Sequence, residues 1–139
     1  MKFLAALCVF VVLVAGCSDG RPKRVPVSGQ VLIDGKPLTS GAVRFIPSSG
    51  RPSVGSIDSD GKFTLGCFDR ADGVIPGTLR VEVNATESID DNTTKWLAPK
   101  KYASVETSGL SETIESPTDS LTINLSWDGA PGPFIERTP

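Results

Sequence analysis

Histidine is absent from all 139 residues. That removes the side chain most often used as a general base near neutral pH, and the commonest metal ligand. Aromatic residues make up only 6%, with two Trp and one Tyr, so stacking surfaces are few. Cysteine is scarce as well. Of the three, Cys8 lies inside an apolar N-terminal run and Cys17 directly follows it, which leaves Cys67 alone in the body of the chain. An internal disulfide is therefore excluded, and a small domain in an oxidising compartment must stand on its apolar core. No basic excess exists either: the formal net charge is −2, which argues against a nucleic-acid partner. The longest apolar run, from Phe3 to Ala15, has 13 residues, short of the roughly 20 that a membrane-crossing helix requires.

That run is nevertheless the most informative stretch. Lys2, the apolar segment and a small-residue approach to a cysteine have the layout of an export signal. Val14-Ala15-Gly16-Cys17 resembles the bacterial lipobox. The resemblance implies diacylglyceryl transfer to Cys17, cleavage before it, and acylation of the new amino group. The alternative is a plain secretory peptide with a chance cysteine. By resemblance to sorting in diderm bacteria, Ser18 after Cys17 favours the outer membrane, while Asp19 in the next position points the other way.

Four segments follow. Residues 1–16 read as signal peptide, 17–24 as a lipidated tether, 25–128 as a β-sandwich and 129–139 as a mobile tail rich in Pro, with an apolar tack through Phe134 and Ile135. Removing 16 residues from 139 leaves 123, enough for one domain. Arg21, Lys23 and Arg24 in the tether either attract anionic headgroups or merely keep it soluble.

Period-two patterning dominates the domain. Val25, Val27, Val31 and Ile33 share one face of a strand ended by Asp34-Gly35. Val43 and Phe45 are in phase in the next. A hairpin through Ser59-Asp60-Gly61 sets Phe63, Leu65 and Cys67 on one side, and Leu79, Val81 and Val83 alternate with Arg80, Glu82 and Asn84. Residues 85–107 show no sustained period and read as a long loop. Short strands return at 112–115 and 121–127. About seven short strands with scarce helix describe an all-β, antiparallel sandwich.

In order along the chain, Val27-Ser28-Gly29-Gln30-Val31, Gly35-Lys36-Pro37-Leu38, Gly41-Ala42-Val43-Arg44-Phe45, Asp58-Ser59-Asp60-Gly61-Lys62-Phe63 and Pro76-Gly77-Thr78-Leu79 resemble the carboxypeptidase regulatory-like, transthyretin-like fold. Pro99-Lys100-Lys101-Tyr102 and the closing Leu121-Thr122-Ile123-Asn124-Leu125 are similar to small bacterial lipoproteins built on it. Leu79 departs from the pattern, standing where such domains usually place an aromatic. Relatives of this fold that hydrolyse a purine-breakdown intermediate or cleave aromatic rings with iron depend on histidines, so neither activity carries over. The resemblance implies a non-enzymatic module needing no cofactor, held at the membrane through Cys17, with an envelope protein or a glycan as partner.

Candidate sites are few. Asp58-Ser59-Asp60-Gly61 opens like a calcium loop but lacks the later ligands and reads as a hairpin turn. Asn84, Asn92 and Asn124 begin glycosylation sequons, which a chain with a bacterial lipobox does not use. Cys67 reads as a buried apolar side chain. Trp96, Lys100, Lys101 and Tyr102 put two aromatics around a basic pair. Such a set either grips a sugar face or an anionic polymer by stacking and charge, or caps the open end of the sandwich.

Overall fold

A computed structural model describes residues 16–139; the expected signal segment, save Gly16, lies outside the described residues. The protein is all-β. Strand β1 (Val27–Ile33) runs into a turn in which Asp34 and Gly35 take φ of 46° and 80°, the paired left-handed geometry of a tight hairpin, and β2 (Lys36–Pro37) returns along it. Then come β3 (Gly41–Pro47), β4 (Ser53–Ile57), β5 (Lys62–Thr64) and β6 (Gly77–Asn84). β3 pairs antiparallel with β4 and β6, and β6 with β9 (Leu110–Ile114), giving a sheet in the order β4-β3-β6-β9. The opposing sheet is centred on β1, with β2 and β5 along one edge and β10 (Thr118–Leu125) along the other.

The alternation expected from the sequence is the alternation observed. Val27, Val31, Val43, Phe45, Leu65, Leu79, Val81 and Val83 are all at most 1% exposed and join one apolar cluster. Phe45 and Phe63 meet across it with ring centroids 6.2 Å apart. Leu79, where the resembled fold usually has an aromatic, is fully buried.

Four expectations are corrected. β1 and β10 are parallel, from Val27 beside Thr118 to Ile33 beside Leu125, so the sandwich is not antiparallel throughout. The hairpin at Ser59-Asp60-Gly61 closes at Asp58–Lys62 and again at Val54–Gly66, yet β5 pairs in register with β1 instead of β4, which ties the two sheets together. Residues 85–107 are not a loop: they hold β7 (Thr86–Asp90), β8 (Thr93–Trp96), a 3-10 turn at Lys100–Ala103 and the short helix α1 (Val105–Ser108). Finally, the C-terminal segment forms β11 (Phe134–Arg137), which pairs antiparallel with β8. The order β11-β8-β7 is a third sheet, and the strands number eleven among the described residues instead of about seven.

Candidate functional site

Two places gather the residues singled out in the sequence. The first is the end of the sandwich where β8 leads through Leu97, Ala98 and Pro99 into the 3-10 turn. Leu97 and Ala98 are buried and Leu97 N–H donates to Ala85 at 2.8 Å, which holds this segment on the core. Tyr102 is 6% exposed; its hydroxyl accepts from Ser126 N–H at 3.1 Å, fixing the turn to the end of β10.

Trp96 is half-buried. Its ring stacks on Phe134 with centroids 6.2 Å apart and 11° between planes, while Trp127 meets Phe134 edge-on at 6.0 Å. The indole Nε1–H donates to Glu136 at 2.8 Å, and Lys100 Nζ bonds the other oxygen of the same carboxylate at 2.8 Å. Hydrogen bonds from Lys100 and from the indole hold Glu136 below the usual carboxylate range. Lys101 pairs with Asp128, and that hydrogen bond raises the ammonium above its ordinary value. Thus all four candidate side chains find partners within their own chain: Trp96, Lys100 and Lys101 in the segment from Asp128 to Glu136, and Tyr102 at Ser126. Phe134 is half-buried as the expected apolar tack, whereas Ile135, expected beside it, is 58% exposed. Glu136 and Asp128 went unnoticed in the sequence. The one signal for them was the alternation of Phe134 and Glu136 after a Pro-rich stretch. The nearest groove, about 460 Å³, is lined by Ile33, Leu38, Leu97, Trp127 and Pro133 and draws in none of the four candidates.

The second place surrounds the exposed Cys17 and the segment after it. This stretch is laid on the domain instead of hanging free: Arg21 pairs with Asp69 at 2.9 Å and Arg24 with Asp72 at 3.1 Å. Asp72 also accepts from the backbone N–H groups of Cys67, Phe68 and Asp69. Burial pushes this carboxyl up, but the three N–H groups and the Arg24 guanidinium outweigh it and hold it below its ordinary value.

Cys67 is 6% exposed and its thiol faces the Arg51 carbonyl oxygen at 3.5 Å, so its sulfur is shielded as the pattern predicted. Asp58 Oδ1 accepts from Asp60 and Lys62 N–H groups at 2.8 and 2.9 Å, the wiring of a turn. Among the described residues no group of three or more Cys, Asp or Glu is arranged to hold a metal ion, and no helix is long and apolar enough to cross a membrane. No family model, no curated protein and no solved structure matches the chain.

Proposed function

We propose that the protein is a non-enzymatic lipoprotein of the bacterial cell envelope, in which a rigid transthyretin-like β module moored through Cys17 does structural or protein-interaction work. The observation that carries the proposal is positional. Cys17 is exposed at the head of a segment fixed to the domain through Arg21 and Arg24, so an acylated sulfur meets no steric obstacle. Two or more acyl chains hold a protein firmly, at about 0.8 kcal/mol per buried methylene. The absence of histidine favours work by contact over turnover.

Glycan capture through residues 96–102 is the less favoured reading, because the Trp96 ring and both ammonium groups are already engaged by the C-terminal segment. The test is intact-mass analysis of the protein purified from membranes. The expected product begins at Cys17 and carries a diacylglyceryl group and an N-acyl chain, and Cys17→Ala releases the protein from washed membranes. An unmodified N-terminus elsewhere in the chain overturns the proposal. Crosslinking of the lipidated protein in membranes then identifies the partner.

A further inference from the structure

We infer that the end of the domain around Phe68 is a second membrane contact, one that engages the phosphates of anionic phospholipids. The inference rests on the lipid-anchor reading and adds which face meets the bilayer. Reach comes first. Because Arg21 is pinned to Asp69, only residues 17–20 are free between a lipid on Cys17 and the domain. Four residues span about 14 Å at most, so the loop carrying Asp69 stays within that distance of the headgroups.

Chemistry comes second. The guanidinium carbons of Arg21, Arg24 and Arg51 lie 5.2, 5.1 and 5.5 Å from the centroid of one half-exposed ring, Phe68. Stacking orients planar guanidinium forks that suit bidentate phosphate binding. Arg51 is further fixed by the contact between its carbonyl and the Cys67 thiol. Lys23, Arg51 and Arg70 are exposed and, among the described residues, make no ion pair. Asp19, Asp69 and Asp72 offset part of this charge. The start of β10 also meets Pro26 at this end, with Glu115 in the turn before it and Asp119 at its second residue, which confines the attraction to the Phe68 face.

Orientation follows from β1. Its first residue lies by the Arg24 segment, and its last precedes Asp34, whose carboxylate takes hydrogen bonds from Ser126 Oγ at 2.8 Å and Trp127 N–H. Seven residues of strand span about 23 Å. The Trp96–Phe134–Trp127 end therefore points away from the lipid, toward any partner.

The test is amide hydrogen exchange on the full lipidated protein in vesicles of phosphatidylcholine alone and of phosphatidylcholine mixed with phosphatidylglycerol. Residues 66–73 are expected to exchange more slowly on the anionic vesicles, and at 1 M salt, where the screening length falls to about 3 Å, the difference disappears. Each surface cation shifts such docking about fivefold, so Lys23→Glu combined with Arg51→Glu, which removes two cations and adds two anions, cuts the protection by at least about 25-fold or to the neutral-lipid level. Lys36→Glu, a single charge reversal at the far end, leaves it intact. Equal protection on both lipids, indifference to the charge reversal, or protection at residues 134–137 instead overturns the inference. Should the mass show no lipid on Cys17, the anchor reading alone fails; co-sedimentation of that unlipidated protein with the anionic vesicles then supports the contact, and its absence overturns it.

Discussion

Among the described residues, Asp72 gathers more hydrogen bonds than any other carboxylate. Three backbone N–H groups in succession, from Cys67, Phe68 and Asp69, point at its carboxylate, and Arg24 adds a charge-assisted bond from the N-terminal segment. Next to it Gly73 has φ of 93° and passes so close to Val25 that a Cβ would stand 1.8 Å from the carbonyl oxygen, so no other residue fits the loop's exit. Replacing Asp72 with Ala orphans several donors in a part-buried place. We expect a loss of about 2–4 kcal/mol, read from the urea midpoint, with the N-terminal segment released. Asp72 also sets a pH dependence. Its folded pKa lies below the ordinary 3.8, so its stabilisation is fully present above that value and is lost as pH falls through the lowered folded pKa. Asp72→Asn is expected to flatten the acid limb of the stability profile below pH 4, and an unchanged limb would assign acid sensitivity to other carboxylates.

At the scale of elements, the C-terminal strand decides what the 96–102 segment is for. β11 covers the outer edge of β8, and Phe134 covers the Trp96 ring. An unpaired edge is a template for association between chains, and covering it is a standard remedy. Trp96→Ala removes an aromatic pair worth about 0.5–1.5 kcal/mol beyond its burial and an indole hydrogen bond worth about 1 kcal/mol. We therefore expect a clear fall in melting temperature and faster exchange across residues 134–137; intact stability with lost retention on a glycan would instead restore the binding role. The Lys100–Glu136 pair adds little, about 0–1 kcal/mol, because both partners are well exposed. The sequence showed β1, β3, β6 and β10 because each buries alternate residues against the core, and periodicity reports burial. It did not show β7, whose five residues Thr86–Asp90 are almost all exposed, nor β11, whose four residues follow two prolines and pair with a strand about 40 positions away. Nor could a strand's own alternation reveal that β1 and β10 run parallel, since the pattern reads the same in either direction. The candidate residues were legible as a cluster, but their partners were not, because those lie in a segment whose composition reads as coil.

Over the whole molecule, the parallel pairing of β1 with β10 joins residues 91 positions apart, and the hairpin from β4 to β5 crosses from one sheet to the other. The β1 sheet is not complete until both ends of the domain are in place, which calls for a single cooperative transition governed by long-range closure. With no disulfide available, this topology and the apolar cluster supply what holds the chain together. Cys67 offers an internal reporter of that cooperativity. It is 6% exposed, sits between the core and the Asp72-held loop, and is the one thiol remaining in the folded domain once Cys17 carries lipid. A thiol reagent applied to the lipidated protein should therefore find no rapidly reacting sulfur. Cys67 should react roughly a thousandfold or more slowly than in urea, since a domain stable by about 5 kcal/mol or more opens rarely. Labelling and global unfolding should share one dependence on urea. An unlipidated chain beginning at Cys17, which is exposed, should show one fast-reacting thiol before the same slow phase. Rapid labelling of Cys67 at zero urea would mean that the Phe68 loop opens independently of the sandwich, and the orientation proposed for the domain at the bilayer would fall with it.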